Sequence, residues 1–280
     1  MTEKEVKKSG PTISVCASVN TEEKRIEEFI TSLYDFADEI IISDTGSKDR
    51  TVEIVKDFMQ KGYTKISLHQ YRSPEPLFHI GKAKNFAISK ATKEYALVLD
   101  ADERLSGGFK RDLKAFLREH SPEVVRIMRH DDLLTALVEP IERIIKNGRG
   151  IFYGTDAEAL THEYFIHHAS VATFLPPLWH CQREKHWLLR PDSRFLYLSI
   201  EIEKTPKVKS FFGHLLRGFW MFQYKFRRVY FRQKLFRQGM IGFRYAVLRA
   251  FYALLIQIFV GLKRDEHQYW TSQEYRDSIK

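Results

Sequence analysis

Only two of the 280 residues are cysteine, Cys16 and Cys181. Two thiols exclude a disulfide scaffold and a four-cysteine zinc module. No zinc-site spacing of Cys and His occurs along the chain. The opening MTEKEVKKSGP carries no apolar run of the kind a secretory leader needs, so a cytoplasmic protein is expected. Neither an internal repeat nor a low-complexity tract is present. The most informative absence is local. From Lys204 to Arg264 there is no Asp or Glu, against 14 Lys and Arg.

The whole chain has 45 Lys+Arg and 36 Asp+Glu, a formal charge of +9. Setting those 14 cations aside leaves −5 (9 minus 14) on everything else. The basic character therefore belongs to a C-terminal appendage, which predicts an acidic partner for that segment. A hydrophobic share of 44% with 29% charged residues excludes a largely disordered chain.

Short apolar runs alternate with helical spacings through the first hundred residues. Ile13–Val19, Glu39–Ser43, Lys65–His69 and Tyr95–Leu99 read as strands. Glu22–Phe36 places Ile26, Phe29, Ile30 and Leu33 on one helical face. A second helix is expected from Arg50 or Thr51 with Asp49 as its cap, and a third over Lys82–Ala91. This alternation predicts an α/β fold with a mostly parallel sheet. In such sheets ligands bind beyond the carboxyl ends of the strands, where Asn20/Thr21/Glu22, Asp44 and Asp100/Asp102 all fall. Further on, Val124–Met128 is strand-like. Ile141–Ile145 and Ile151–Tyr153 flank Asn147-Gly148-Arg149-Gly150, a hairpin signal. Tyr164–Leu175 reads as strand up to Pro176-Pro177.

Asp100 and Asp102 end a buried strand one residue apart, and two carboxylates there repel each other unless a cation neutralises them. Their hard oxygens suit Mg²⁺ or Mn²⁺, ions that share their shell with phosphate oxygens. The plain alternative is one capping Asp and one solvated Asp. In Asp44-Thr45-Gly46-Ser47-Lys48-Asp49-Arg50-Thr51, an Asx-turn and a capped helix account for Ser47, Asp49 and Thr51. Asp44 is left as a candidate acceptor for a base or ribose.

The segments ISVCASVNTEE, DEIIISDTGSKDRT, GKAKNFAI and YALVLDADERL, in that order over residues 12–105, resemble an inverting glycosyltransferase of family 2 with the GT-A fold. Bacterial envelope enzymes such as lipopolysaccharide-core glucosyltransferases are the relatives it looks like. The resemblance implies a nucleotide-sugar donor, UDP-linked, bound by Ser18, Asn20, Glu22, Asp44, Lys84 and Asp100. Asp44 would hold the base, Asp100 would sit near ribose and metal, and Asp102 would hold the metal. The family's frequent Lys-Asn-Glu after the first strand stands here as Asn20-Thr21-Glu22. Thr161-His162-Glu163 resembles the family's Val-His-Glu motif, which makes Glu163 the expected catalytic base. Asp156 and Glu158 are the other carboxylates nearby. His180, in Trp179-His180-Cys181, is the expected further metal ligand.

Beyond residue 200 the chain becomes helical, aromatic and basic. Phe211, Leu215, Phe219, Phe222, Phe226 and Tyr230 form one stripe, with Arg217, Lys225, Arg228 and Arg232 opposite, as on an amphipathic interfacial helix. Tyr245–Leu262, 18 mostly apolar residues, falls short of a span and reads as membrane-lying or core-packed. The expected organisation is a loose N-terminus (1–10), a catalytic domain (11–200) and a membrane-associating region (201–280). The expected setting is peripheral, at the cytoplasmic face of the bacterial inner membrane, with an anionic membrane surface and a lipid-linked or lipopolysaccharide acceptor as partners and no nucleic acid. Two rival readings stay open: a non-catalytic nucleotide-sugar-binding protein of the membrane surface, and a basic nucleic-acid binder.

Overall fold

Ile13–Val19 forms β1, and every one of its side chains except Ser18 is buried, as the continuous apolar run requires. The computed structural model describes residues 10–73, 80–155, 164–181, 202, 205 and 210–262. The chain divides into two compact units. One comprises the residues up to Asp132 with Val138–Cys181, the other Leu133–Leu137 with the residues after Cys181.

The first unit starts as repeated strand–helix steps: β1, α1 (Ile26–Tyr34), β2 (Glu39–Asp44), α2 (Thr51–Gln60), β3 (Ile66–Gln70), α3 (Ile80–Ile88) and β4 (Tyr95–Val98). Helix α1 begins four residues later than its apolar spacing predicts. Glu22–Arg25 is spent on a turn, in which the Glu22 carbonyl accepts from the N–H groups of Arg25 and Ile26 at 2.9 Å each. Ile26, Phe29, Ile30 and Leu33 are its buried face, as expected. The N-cap position of α2 falls to Arg50, which makes no side-chain cap; Asp49, one residue earlier, still accepts from the Thr51 N–H through Oδ1 at 3.1 Å.

There follow β5 (Glu103–Leu105), α4 (Gly107–His120), β6 (Val124–Asp131), β7 (Val138–Lys146), β8 (Phe152–Tyr153), β9 (Phe165–Ile166) and β10 (Val171–His180). One eight-stranded sheet has the order β3-β2-β1-β4-β7-β6-β10-β5. β2, β1 and β4 are parallel neighbours with β3, and β6 is parallel to β10. β7 runs antiparallel to both β4 and β6, and β5 antiparallel to β10. Thus all strands but β7 and β5 point the same way. This is the mostly parallel α/β sheet that the sequence predicts.

Two local expectations are corrected. The segments around Asn147–Gly150 do not form a hairpin: both edges of β7 are already paired, by β4 and β6, so β8 pairs with β9 instead. The turn itself remains, with Gly148 and Gly150 at positive φ. Nor does the last strand stop at Pro176-Pro177. β10 continues to His180, and the prolines sit in a register shift between Phe174 and Leu178 where ladder hydrogen bonds are not needed.

The second unit contains α5 (Phe211–Arg227), a π-helical turn (Arg228–Arg232), a short 3₁₀ turn (Leu235–Gln238) and α6 (Gly239–Leu262). Ser210 caps α5, its Oγ accepting from the Gly213 N–H at 3.0 Å. Leu134, Val229, Leu235, Tyr245 and Ala246 make its core. The last helix is longer than the 18 residues read from the sequence. Among the described residues, Leu235–Leu262 is the one stretch long and apolar enough to cross a membrane by length and composition, at 28 residues with an 18-residue window of mean hydropathy 1.8. The expected stripe is only partly inward: Phe211 and Phe219 are exposed, and His214 and Gly218 are the buried positions of α5.

Candidate functional site

The carboxyl ends of β1, β2 and β4 lie side by side, because Val19 is in register with Asp44 and Cys16 with Val98. Alternation assigns their side chains to two faces. Cys16, Ile41, Ala96 and Val98 pack with Ala87 and Ile88 of α3, so Ser18, Ser43 and Asp100 continue that face. Ser18 and Ser43 are register partners, and each hydroxyl is buried without a hydrogen-bond partner.

Asp44 continues the other face and is 1% exposed. Its Oδ2 accepts from the Gly46 N–H at 3.2 Å and its Oδ1 from the Ser47 N–H at 3.0 Å. Asp44 is therefore itself the acceptor of the Asx-turn, and Gly46, at φ 113°, supplies the backbone that the turn needs. Arg72 Nη1 stands 3.8 Å from the same carboxylate. The β1 end is tied to this loop: Asn20 Nδ2 donates to Thr45 Oγ1 at 3.1 Å, and the N–H groups of Thr21 and Glu22 donate to Ser47 Oγ (2.9 Å) and Thr51 Oγ1 (2.8 Å). Glu22 pairs with Arg25 at 3.3 Å.

Asp100 sits in a cluster of buried charge. Lys84 Nζ, with its side chain fully buried, is 2.8 Å from Oδ1, and Arg143 Nη2 is 2.7 Å from Oδ2. The same Arg143 nitrogen reaches Glu103 Oε1 at 3.1 Å, and Arg129 Nη1 reaches that oxygen at 3.5 Å. Glu103 Oε2 in turn accepts from the Asp100 N–H at 2.9 Å, closing the turn after β4. Burial alone would push the Asp100 carboxyl up; Lys84 and Arg143 override it and hold the group well below the usual carboxylate range. Asp100 keeps 30% of its side chain exposed, so a fixed anion still faces outward.

Asp102 and His180 come together through strand pairing. His180 of β10 is in register with Glu103 of β5, and the Cys181 N–H donates to the Asp102 carbonyl at 2.7 Å. This leaves His180 Nε2 3.7 Å from Asp102 Oδ2. An oxygen and an imidazole nitrogen at that separation could both ligate one divalent ion, and the rest of its shell would have to come from phosphate oxygens and water. Among the described residues no group of three or more His, Cys, Asp and Glu forms a complete protein cage.

The structure thus brings Ser18, Asn20, Glu22, Asp44, Lys84, Asp100, Asp102 and His180 to the strand ends of one unit. Glu163, with Asp156, Glu158 and His162, lies outside the described residues. Arg143, Glu103 and Arg129 are members that sequence reasoning missed. A signal existed for Arg143: it interrupts the apolar run IERII, where a cation is tolerated only with a buried partner. Asn85 was also overlooked, although GKAKNFAI contains it. Its amide exchanges hydrogen bonds with the Tyr153 N–H (2.8 Å) and carbonyl (3.0 Å), fastening α3 to β8.

A mostly parallel sheet with acidic strand ends defines an α/β protein of the kind that binds ligands beyond the carboxyl ends of its strands. The chain belongs to glycosyl transferase family 2, whose model matches residues 14–175. Among curated proteins it is 30% identical over 143 residues to the poly(ribitol-phosphate) beta-N-acetylglucosaminyltransferase TarS of Staphylococcus aureus, a match covering 49% of this chain and 22% of that protein's length. It is 28% identical over 238 residues to the lipopolysaccharide core biosynthesis glycosyltransferase LpsC of Rhizobium meliloti, covering 78% of this chain and 80% of LpsC. Solved structures similar to it include S. aureus TarS 1–349 (TM-score 0.46, 19% identity, 93% of each chain). Another is the Pyrobaculum calidifontis mannosyltransferase PcManGT with GDP-Man and Mn²⁺ (TM-score 0.47, 14% identity, 97% of this chain and 80% of that one).

Proposed function

We propose that this chain is an inverting, metal-dependent glycosyltransferase that moves a sugar from a UDP-linked donor to a lipid-linked or lipopolysaccharide-type glycan. The observation that carries the reading is the meeting of Asp102 with His180, beside the salt-bridged Asp100, at the carboxyl ends of β1, β2 and β4. Family membership and the similarity to LpsC support it.

In this reading the base lies against the Asp44 loop. Two of the roughly four lone-pair sites of that carboxylate serve the turn, leaving capacity for a ligand donor. Ser18, Asn20 and Glu22 line the adjoining β1 end. Lys84 acts through Asp100, holding it ionised beside the ribose. Asp102 and His180 would hold Mg²⁺ or Mn²⁺, which neutralises the leaving diphosphate. Glu163 takes the proton of the acceptor hydroxyl as its oxygen bonds to the anomeric carbon and the bond to the diphosphate breaks, inverting the centre. The catalytic domain runs over residues 11–200. The region from 201 on, with its acid-free stretch Lys204–Arg264, holds the enzyme at an anionic membrane surface, the cytoplasmic face of the inner membrane, next to its acceptor.

The test is transfer from, or slow hydrolysis of, UDP-sugars with Mn²⁺ added or removed by chelation. Turnover should require the metal and should fall by about two orders of magnitude or more in Asp102→Asn. Unchanged turnover in that variant overturns the metal assignment. Nucleotide binding without transfer to any acceptor favours the non-catalytic reading.

A further inference from the structure

We infer that α5 and α6 form a hairpin immersed in the acyl layer of one membrane leaflet, rather than a basic surface held on lipid by charge alone. This rests on the membrane reading above and specifies how that contact is made.

Beyond the turn, where Val229, Leu235 and Tyr245 make an ordinary apolar core, the packing of the two helices is the reverse of a water-soluble pair. Their seam is built from small residues: Gly218, Ala250, Ala253 and Gly261 are buried. The approach is close enough that a Cβ on Gly218 would stand 2.7 Å from a Leu254 methyl, and one on Gly261 2.8 Å from the Phe211 ring. Two polar side chains share the seam. His214 and Gln257 are both buried and joined by a hydrogen bond between Nδ1 and Oε1 at 3.1 Å. The large apolar side chains point the other way: Phe212 (65% exposed), Phe219, Trp220 (64%), Phe251 and Phe259 all stand outside. In water, burial of such side chains drives helix pairing, so they belong in the seam. In lipid that force vanishes between helices. Close contact of small residues and interhelical hydrogen bonds then hold the pair, and the large side chains face acyl chains.

The last helix adds a second argument. A helix apolar on all sides needs apolar surroundings on all sides. The 18-residue apolar window within Leu235–Leu262 comes near that composition, yet only 39% of it is buried in the protein.

Charge fixes the depth. Phe211 lies beside Gly261, so both chain ends leave the hairpin at the same place. That end is flanked in sequence by Lys207 and Lys209 on one side and by Lys263 and Arg264, followed by Asp265 and Glu266, on the other. The opposite end carries Lys225, Arg227, Arg228 and Arg232. The uncharged length between, Ala250–Leu262 on α6, is about 20 Å at ~1.5 Å per residue, less than the ~30 Å of a full hydrocarbon core; Leu235–Leu262 reaches span length only by taking in Arg237, Arg244 and Arg249. Both basic ends therefore sit among anionic headgroups of one leaflet, with the middle sunk between them and Arg217, the one cation of α5 at that level, extending its stem toward the headgroups.

The experiment uses the full chain and vesicles of phosphatidylcholine with phosphatidylglycerol. Bound protein should resist both high-salt and alkaline-carbonate washes and come off only with detergent. Lipids brominated on their acyl chains should quench a tryptophan component that Trp220→Phe removes. Phe251→Asp/Phe259→Asp, checked for unchanged helicity by circular dichroism, should turn wash-resistant binding into salt-labile binding. Protein that binds but is stripped by salt ends this inference and leaves the membrane reading standing. Absence of binding ends both, as does a stable dimer in plain buffer that ignores vesicles. Wash resistance unchanged in the double aspartate variant also overturns the inference.

Discussion

Arg143 is the residue on which the buried charge cluster turns. It spans Asp100 and Glu103 with one guanidinium nitrogen, at 2.7 and 3.1 Å. Arg143→Met removes the cation and leaves Glu103 buried beside a partly covered Asp100. The expected loss is about 3–5 kcal/mol of unfolding free energy, read by urea denaturation, with partial recovery in Arg143→Met/Glu103→Gln. The same cluster sets a pH dependence. The folded Asp100 carboxyl lies below its usual range, so its contribution to stability is complete above about pH 4 and is lost as the pH falls below that. Unfolding free energy measured down an acid series should fall more steeply for the wild type than for Asp100→Asn. Equal slopes would place the titrating group elsewhere.

Among elements, the junction between the 3₁₀ turn and α6 depends on a close backbone approach. A Cβ at Gly242 would lie 2.1 Å from the Leu235 carbonyl oxygen. Backbone cannot step aside as a flexible side chain can, so Gly242→Ala should cost at least about 1–3 kcal/mol. Gly107, at the start of α4, has no atom within 4 Å of its Cβ position. Gly107→Ala should change the thermal midpoint little, which makes it the matched control. The strand β10 shows the same dependence on context. Its two prolines read as a stop, but the sheet places them in an irregular step of the ladder and carries the strand on to deliver His180 beside Asp102.

Over the whole molecule, the +9 resolves into two bodies of opposite sign. A donor that binds only the native state raises stability by about 2.7 kcal/mol at a hundredfold excess over its dissociation constant. A thermal-shift series of nucleotide sugars should therefore show its largest rise with a UDP-sugar plus Mn²⁺, and a smaller one for Asp102→Asn. A rise without metal as large as with it would contradict the assignment of Asp102 and His180.

The sequence by itself determined β1 to β4, the helices between them and the position of the acidic strand ends. Those features are written in side chains two, three or four residues apart, which is the range of local periodicity. It also determined the separation of charge, since composition needs no fold. The tertiary structure alone decided that β7 pairs with β4 and β6, because strand partners are chosen by long-range register and not by the turn that precedes them. It alone joined Asp100 to Arg143, 43 residues apart, and Asp102 to His180. The tail tells the same story at larger scale. Its apolar spacing predicted a helix, but which residues face inward was settled by the fit of Gly218 and Gly261 against the neighbouring helix, where a bulky side chain has no room.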